Sequence, residues 1–200
     1  DEVISTPYTF VATNTSILEQ FAKPIFADIE VDTVNINADD IEHRITEKTK
    51  AIMCVHWGGY PCDMDKISSI AEKYNLAVIE DAAHALGSVF KGKKIGTISD
   101  YTAFSFQAIK HMTTGDGGLL VVKDEDAFNT VLSKRWFGID RKNRRNNPDS
   151  DSIVDISHVG FKYHMNDIAA TIGIDQLNYF DENLAIRKDI AELYTNGLKD

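Results

Sequence analysis

Apolar residues recur along this chain in two rhythms, short continuous runs and helical spacings, and the two alternate. Ala51-Ile52-Met53-Cys54-Val55 has the length of a buried strand and is closed by the punctuation of Gly58-Gly59. Asp63 then caps a helix in which Met64, Ile67, Ile70, Ala71 and Tyr74 share one face. Leu76-Ala77-Val78-Ile79 is a second strand-like run, stopping at Glu80-Asp81. Upstream, Asn37-Ala38-Asp39-Asp40 opens a helix carrying Ile41 and Ile45, and its acidic first turn suits the helix dipole. Short strands alternating with helices predict an α/β protein with a parallel sheet.

Beyond Gly87 the rhythm changes. Lys91-Gly92-Lys93-Lys94 reads as a turn, and Tyr101-Thr102-Ala103-Phe104-Ser105-Phe106 as a strand rich in aromatics. A polar, Gly-rich loop separates it from another strand, Gly118-Leu119-Leu120-Val121-Val122, and Asp124 to Trp136 reads as helix. Asp140 to Asp151 is almost entirely charged or polar, with Pro148 inside it, and reads as a mobile surface loop. From Asn166 two helical patterns follow, carried by Ile168, Ile172 and Leu177 and then by Ile186, Ile190 and Leu193.

Composition narrows the function classes. With 21 basic against 31 acidic residues, a net charge of -10 argues against nucleic acid or an anionic membrane as partner. No apolar run approaches the ~20 residues that a membrane span needs. Two cysteines, Cys54 and Cys62, make no disulfide framework and no Cys-x-x-Cys pair, so a reducing cytoplasm is the expected compartment. The chain opens Asp1-Glu2-Val3-Ile4 and closes within a helical pattern, as a piece of a longer protein does.

Ligands of parallel α/β sheets bind beyond the carboxyl ends of strands. Two polar clusters fall there: Glu80-Asp81-Ala82-Ala83-His84, and Ser105-Phe106-Gln107-Ala108-Ile109-Lys110-His111 running into Thr113-Thr114-Gly115-Asp116-Gly117-Gly118. A partly desolvated lysine is an amine nucleophile able to form a Schiff base, and a carboxylate opposite it can keep a ring nitrogen protonated. Together these two demands describe pyridoxal 5'-phosphate, although an Asp–Lys ion pair would leave the same trace. Gly115-Asp116-Gly117 precedes a strand instead of opening a helix, so it is no dinucleotide fingerprint. His56, Trp57, Cys62 and Asp63 match no usual metal-ligand spacing and read as loop packing.

The segments Val78 to Ala85 and Phe104 to Gly118 closely resemble the DegT/StrS-type sugar aminotransferases. Pro7 to Thr13, Ala51 to Gly59 and Gly160-Phe161-Lys162-Tyr163 through Gln176-Leu177 are similar as well, so the likeness spans the chain. It implies the large domain of a fold-type-I aminotransferase: a mainly parallel sheet between helix layers (three-layer αβα), truncated at both ends. Residues 1–200 would be the partial cofactor-binding domain, with about 160–200 leading toward a C-terminal small domain. The resemblance makes Lys110 the Schiff-base lysine and proton carrier, Asp81 the partner of the pyridinium nitrogen and His84 a contact of the phenolic oxygen. Phe10 would stack on the pyridine face, and Ser105, with Gln107 beside it, would take the phosphate. Taken alone, Phe10 reads equally as core, and His84 as a structural histidine. Lys162 and His164 stand where many family members carry Asn and Arg.

The activity so implied is transfer of an amino group from glutamate to a keto-sugar, usually nucleotide-linked, by a homodimer. A related sugar dehydratase is disfavoured because a histidine replaces the lysine in those members. A catalytically silent or regulatory protein on the same fold, and a metal-dependent hydrolase using Asp81, His84 and His56, are the other readings.

Overall fold

A computed structural model describes residues 1–139, 156 and 158–199. Its strands in chain order are β1 (Glu2–Ser5), β2 (Lys23–Phe26), β3 (Thr49–Val55), β4 (Ala77–Asp81), β5 (Val89–Phe90), β6 (Lys93–Lys94), β7 (Tyr101–Ser105) and β8 (Gly118–Val122). The helices are α1 (Val11–Glu19), α2 (Ala38–Arg44), α3 (Met64–Tyr74), α4 (Glu125–Lys134), α5 (Asp167–Leu177) and α6 (Phe180–Gly197).

The main sheet runs β2-β1-β3-β4-β7-β8, parallel except for β8, while β5 and β6 form a separate antiparallel hairpin. Strand order reverses between β1 and β3, and a doubly wound sheet opens its ligand crevice at such a reversal. Helical crossovers keep β1 to β4 parallel. The stretch from Phe106 to Gly117 holds no helix, and its return sets β8 antiparallel against β7.

Capping chemistry begins the helices where the polar residues demand it. Asn37 accepts from the N–H groups of Asp39 and Asp40, Asp63 from Lys66, Asp124 from Ala127 and Asn166 from Ala169. Asn75 ends α3 in the left-handed conformation that asparagine tolerates. On one face of the sheet, Ile4, Ile52, Cys54 and Val78 pack with Ile41 of α2 and with Met64 and Ile67 of α3.

Some boundaries differ from the sequence reading. β4 does not stop before Glu80-Asp81 but includes both, because their backbones are paired to β3 and β7 on either side. Only Lys91-Gly92 forms the expected turn, since Lys93-Lys94 pairs back onto Val89-Phe90. β1, β2 and α1 were not resolved by pattern at all: strands of four residues carry too few positions to establish a period. In α5 the small residues Ala169 and Gly173 are buried, whereas Ile168, Ile172 and Leu177 are exposed, as are Ile186, Ile190 and Leu193 of α6. The reading of Asp140 to Asp151 as a loop lies outside the described residues. Among those residues no helix is long and apolar enough to cross a membrane.

Candidate active site at the strand carboxyl ends

Alternation along β4 sends its two neighbouring acids to opposite faces. Glu80 follows Val78 inward and is fully buried. Asp81 turns to the other face, where its Oδ2 accepts a hydrogen bond from Thr13 Oγ1 of α1 at 2.6 Å and its Oδ1 accepts from the Ala83 N–H at 3.1 Å. α1 therefore covers the face opposite α2 and α3, which supplies the third layer. Asp81 also meets the first turn of α1, where the helix dipole favours negative charge.

His84 follows one turn beyond β4. Partial burial and the Lys110 ammonium hold its imidazole below the ordinary value, while the Asp81 carboxylate pulls the other way. His111 adds a further push in the same direction as Lys110. Lys110 lies in the β7–β8 loop, where its N–H donates to the Gln107 carbonyl at 2.9 Å. That loop is cinched at its neck by Phe106 N–H to Gly117 O (2.8 Å) and Thr114 N–H to Phe106 O (2.9 Å). His111 Nε2 donates to the Leu86 carbonyl at 2.8 Å and fastens the loop to the segment after β4.

Ser105 ends β7, and its Oγ accepts the Gln107 N–H at 3.3 Å, which leaves the hydroxyl hydrogen to donate elsewhere. Gln107 is exposed and turns its Oε1 to the Ile109 N–H at 3.0 Å. Phe10 is the residue preceding α1, and its ring is 74% exposed, so it is not the core aromatic that its type alone suggested. Thr13, bonded through its N–H to the Phe10 carbonyl, ties that exposed ring to the Asp81 neighbourhood.

An aromatic wall completes the surface: Tyr8 and Trp57 have ring centroids 4.7 Å apart, and Trp57 lies edge-on 6.0 Å from His84. Buried Asn35 secures this turn by accepting from Trp57 N–H and donating to the Tyr60 carbonyl, each at 3.0 Å. Gly59 makes the close approach possible. At φ +86° it sits where a Cβ would fall 2.6 Å from the His84 carbonyl oxygen.

His56 does not belong to this surface. It is fully buried, bonded through Nε2 to Glu80 at 2.7 Å, and its Nδ1 accepts the Cys62 N–H at 3.1 Å. The hydrolase grouping of Asp81, His84 and His56 is thereby excluded, and the described residues contain no cluster suited to a metal ion. Glu80 Oε1 accepts in turn from Thr102 Oγ1 at 2.9 Å and from the Ser99 N–H at 3.3 Å. Burial opposes ionisation of Glu80, yet its bonds from His56, Thr102 and Ser99 outweigh it and hold the carboxyl below its usual range.

Sequence reasoning missed the role of Thr13, read Trp57 only as loop packing, and did not find the His56–Glu80 pair. The last was detectable: two acids side by side in a strand must face opposite ways, and the inward one requires buried donors.

A mainly parallel sheet flanked by helices is the fold of the fold-type-I aminotransferases, and solved structures similar to this chain are aminotransferases of that type. The chain belongs to the DegT/DnrJ/EryC1/StrS aminotransferase family, whose family model matches residues 1–200. It is 50% identical to protein MJ1066 of Methanocaldococcus jannaschii over 100% of this chain and 52% of that protein. It is 39% identical to the GDP-perosamine synthase of Escherichia coli O157:H7, over 99% of this chain and 52% of the enzyme. The structure of Spr1654 from Streptococcus pneumoniae in its PLP form superposes with a TM-score of 0.89 at 32% identity, covering 100% of this chain and 54% of the other. The chain thus spans about half the length of the curated relatives it matches.

Proposed function

We propose that this chain is the cofactor-binding part of a pyridoxal-phosphate-dependent sugar aminotransferase that transfers an amino group, from glutamate, to a nucleotide-linked keto-sugar. The observation that carries the reading is Asp81 held at the carboxyl end of β4 by Thr13 and Ala83, with Lys110 in the adjoining β7–β8 loop that His111 fastens to the segment after β4. The donor set fits the group: an amine for its aldehyde carbon, a carboxylate for its ring nitrogen, a free hydroxyl for its phosphate and an exposed ring for its flat face. Supporting it are the family itself and the relatives named for making perosamine and an amino-altrosamine.

When bound, pyridoxal phosphate supplies an electron sink for the substrate carbon that gives up a proton. Each residue has a part beside it. Lys110 would hold the cofactor through its side-chain amine, and the same amine would carry the proton at the reacting carbon. Asp81 accepts the ring N–H and opposes loss of that proton. His84, held toward its neutral form, would serve the phenolic oxygen as a hydrogen-bond partner. The Ser105 hydroxyl and the Gln107 amide N–H groups would hold the phosphate, and Phe10 would cover one face of the ring and exclude water there.

Residues 1–200 act in this reading as part of the large domain, with 160–200 leading toward a small domain. The complete enzyme works as a homodimer in the cytoplasm. The exposed apolar side chains of α5 and α6 support a further covering partner, and the two free, buried cysteines agree with a reducing compartment.

The test is an absorbance titration of the full-length protein with pyridoxal phosphate, followed by borohydride reduction and peptide mapping. A reduced adduct on Lys110, absent from Lys110→Ala, is the expected result. Transamination by Lys110→Ala, or an adduct mapped elsewhere, overturns the assignment.

A further inference from the structure

Asp81 does not stand alone at the end of its strand. Its Oδ1 is engaged by the Ala83 N–H and its Oδ2 by the Thr13 hydroxyl, at 3.1 and 2.6 Å. Thr13 is only 4% exposed, and its Oγ1 lies 2.8 Å from Thr9 Oγ1. A hydroxyl has one hydrogen to give, and an ionised carboxylate can only accept. The proton of Thr13 therefore goes to Asp81, and Thr9 must donate to Thr13. The three groups form a one-way chain, Thr9 to Thr13 to Asp81, in which each bond polarises the next.

We infer that Thr13 is a positioning residue that locks the Asp81 carboxylate in the orientation needed to meet the ring nitrogen of the cofactor. The inference rests on the reading of Asp81 given above. Two donors, from two different elements, prevent rotation about the Cβ–Cγ bond. The Ala83 bond comes from the same segment as Asp81 and moves with it. Thr13 comes from α1, the helix that also carries Phe10 at its start, so the hydroxyl registers the ring-stacking side chain and the ring-nitrogen partner to one another. Lone pairs on both carboxylate oxygens remain for a third donor.

The experiment measures the affinity of the full-length protein for pyridoxal phosphate and for its 1-deaza analogue, in which C–H replaces the ring nitrogen. Wild type, Thr13→Val and Thr13→Ser are compared. Valine keeps the branched shape and removes the hydroxyl; serine keeps the hydroxyl. Wild type is expected to prefer pyridoxal phosphate. Thr13→Val is expected to lose about tenfold of that preference, with affinity for the analogue unchanged, and Thr13→Ser to restore it. The preference is a ratio within one variant, so it is insensitive to the fraction of protein that folds. Equal weakening of both ligands by Thr13→Val means the hydroxyl only supports the fold, and overturns the inference. Equal binding of both ligands by wild type overturns the Asp81 reading, and the inference falls with it.

Discussion

His56 Nε2 lies 2.7 Å from Glu80 Oε2 with both side chains fully buried, and the His56 backbone N–H donates to the carbonyl of Asp81 at 3.1 Å. A closed polar network therefore lies directly behind the strand end that presents Asp81. Because His56 Nδ1 accepts the Cys62 N–H, its hydrogen sits on Nε2 and points at Glu80. Glu80 is the shared acceptor of His56, Thr102 and the Ser99 N–H, so removing it leaves those buried donors orphaned.

Glu80→Ala is expected to lower stability by about 3 kcal/mol, the sum of a cavity and of buried donors on His56 and Thr102 left without an acceptor. Chemical denaturation followed by circular dichroism measures this. A loss within about 0.5 kcal/mol, the level of a surface change, contradicts the network's role.

The same carboxylate sets an acid sensitivity. Glu80 ionises in the folded protein below its ordinary value of 4.5, whereas in the unfolded chain it returns to that value. Its contribution is therefore complete above the ordinary value and is lost as pH falls from there through the folded one. The denaturation midpoint of wild type should drop more steeply as pH falls below 4.5 than that of Glu80→Gln. Parallel slopes for the two proteins would show that Glu80 contributes nothing to the acid limb.

His84 reports on Lys110. Burial and the lysine ammonium together depress its imidazole, so Lys110→Ala should shift the His84 titration upward in the cofactor-free protein. Proton-NMR titration of the histidine ring signals reads this directly. An unmoved His84 signal would place the lysine too far away for the proposed site.

Gly59 tests the coupling between the Trp57 turn and the His84 segment. Gly59→Ala forces a Cβ to within 2.6 Å of the His84 carbonyl oxygen at φ +86°, a conformation that disfavours side chains. Stability should fall by about 2 kcal/mol and cofactor affinity should weaken with it, because the His84 segment must shift. Unchanged affinity in a destabilised variant would show that the turn supports the fold alone.

The helices around Ile41, Met64 and the residues after Asp124 and Asn166 were legible because caps and periodicity are local: each signal lies within a few residues of the structure it sets. The runs Ala51–Val55 and Tyr101–Phe106 were visible for the same reason, and the strands found there are Thr49–Val55 and Tyr101–Ser105. The end of β4 was misplaced because Glu80 and Asp81 look like loop residues until the neighbouring strands claim their backbones. Lys110 and Asp81 were nominated by their place at strand ends, and His84, Ser105, Gln107 and Phe10 by motif resemblance; pattern alone could not have separated a cofactor site from an ion pair.

What the sequence determined by itself, then, was the alternation of strand and helix, the helix starts, and the residue types available for amine and carboxylate chemistry. Only the tertiary structure decided that Asp81 turns toward Thr13 while Glu80 turns to His56. The direction of a side chain follows from the alternation of the strand, but its partner depends on which distant segment packs against that face. Thr13 is far from Asp81 in the chain, and His56 far from Glu80. Contacts of that kind arise when long-range burial brings layers together, and no local pattern records them.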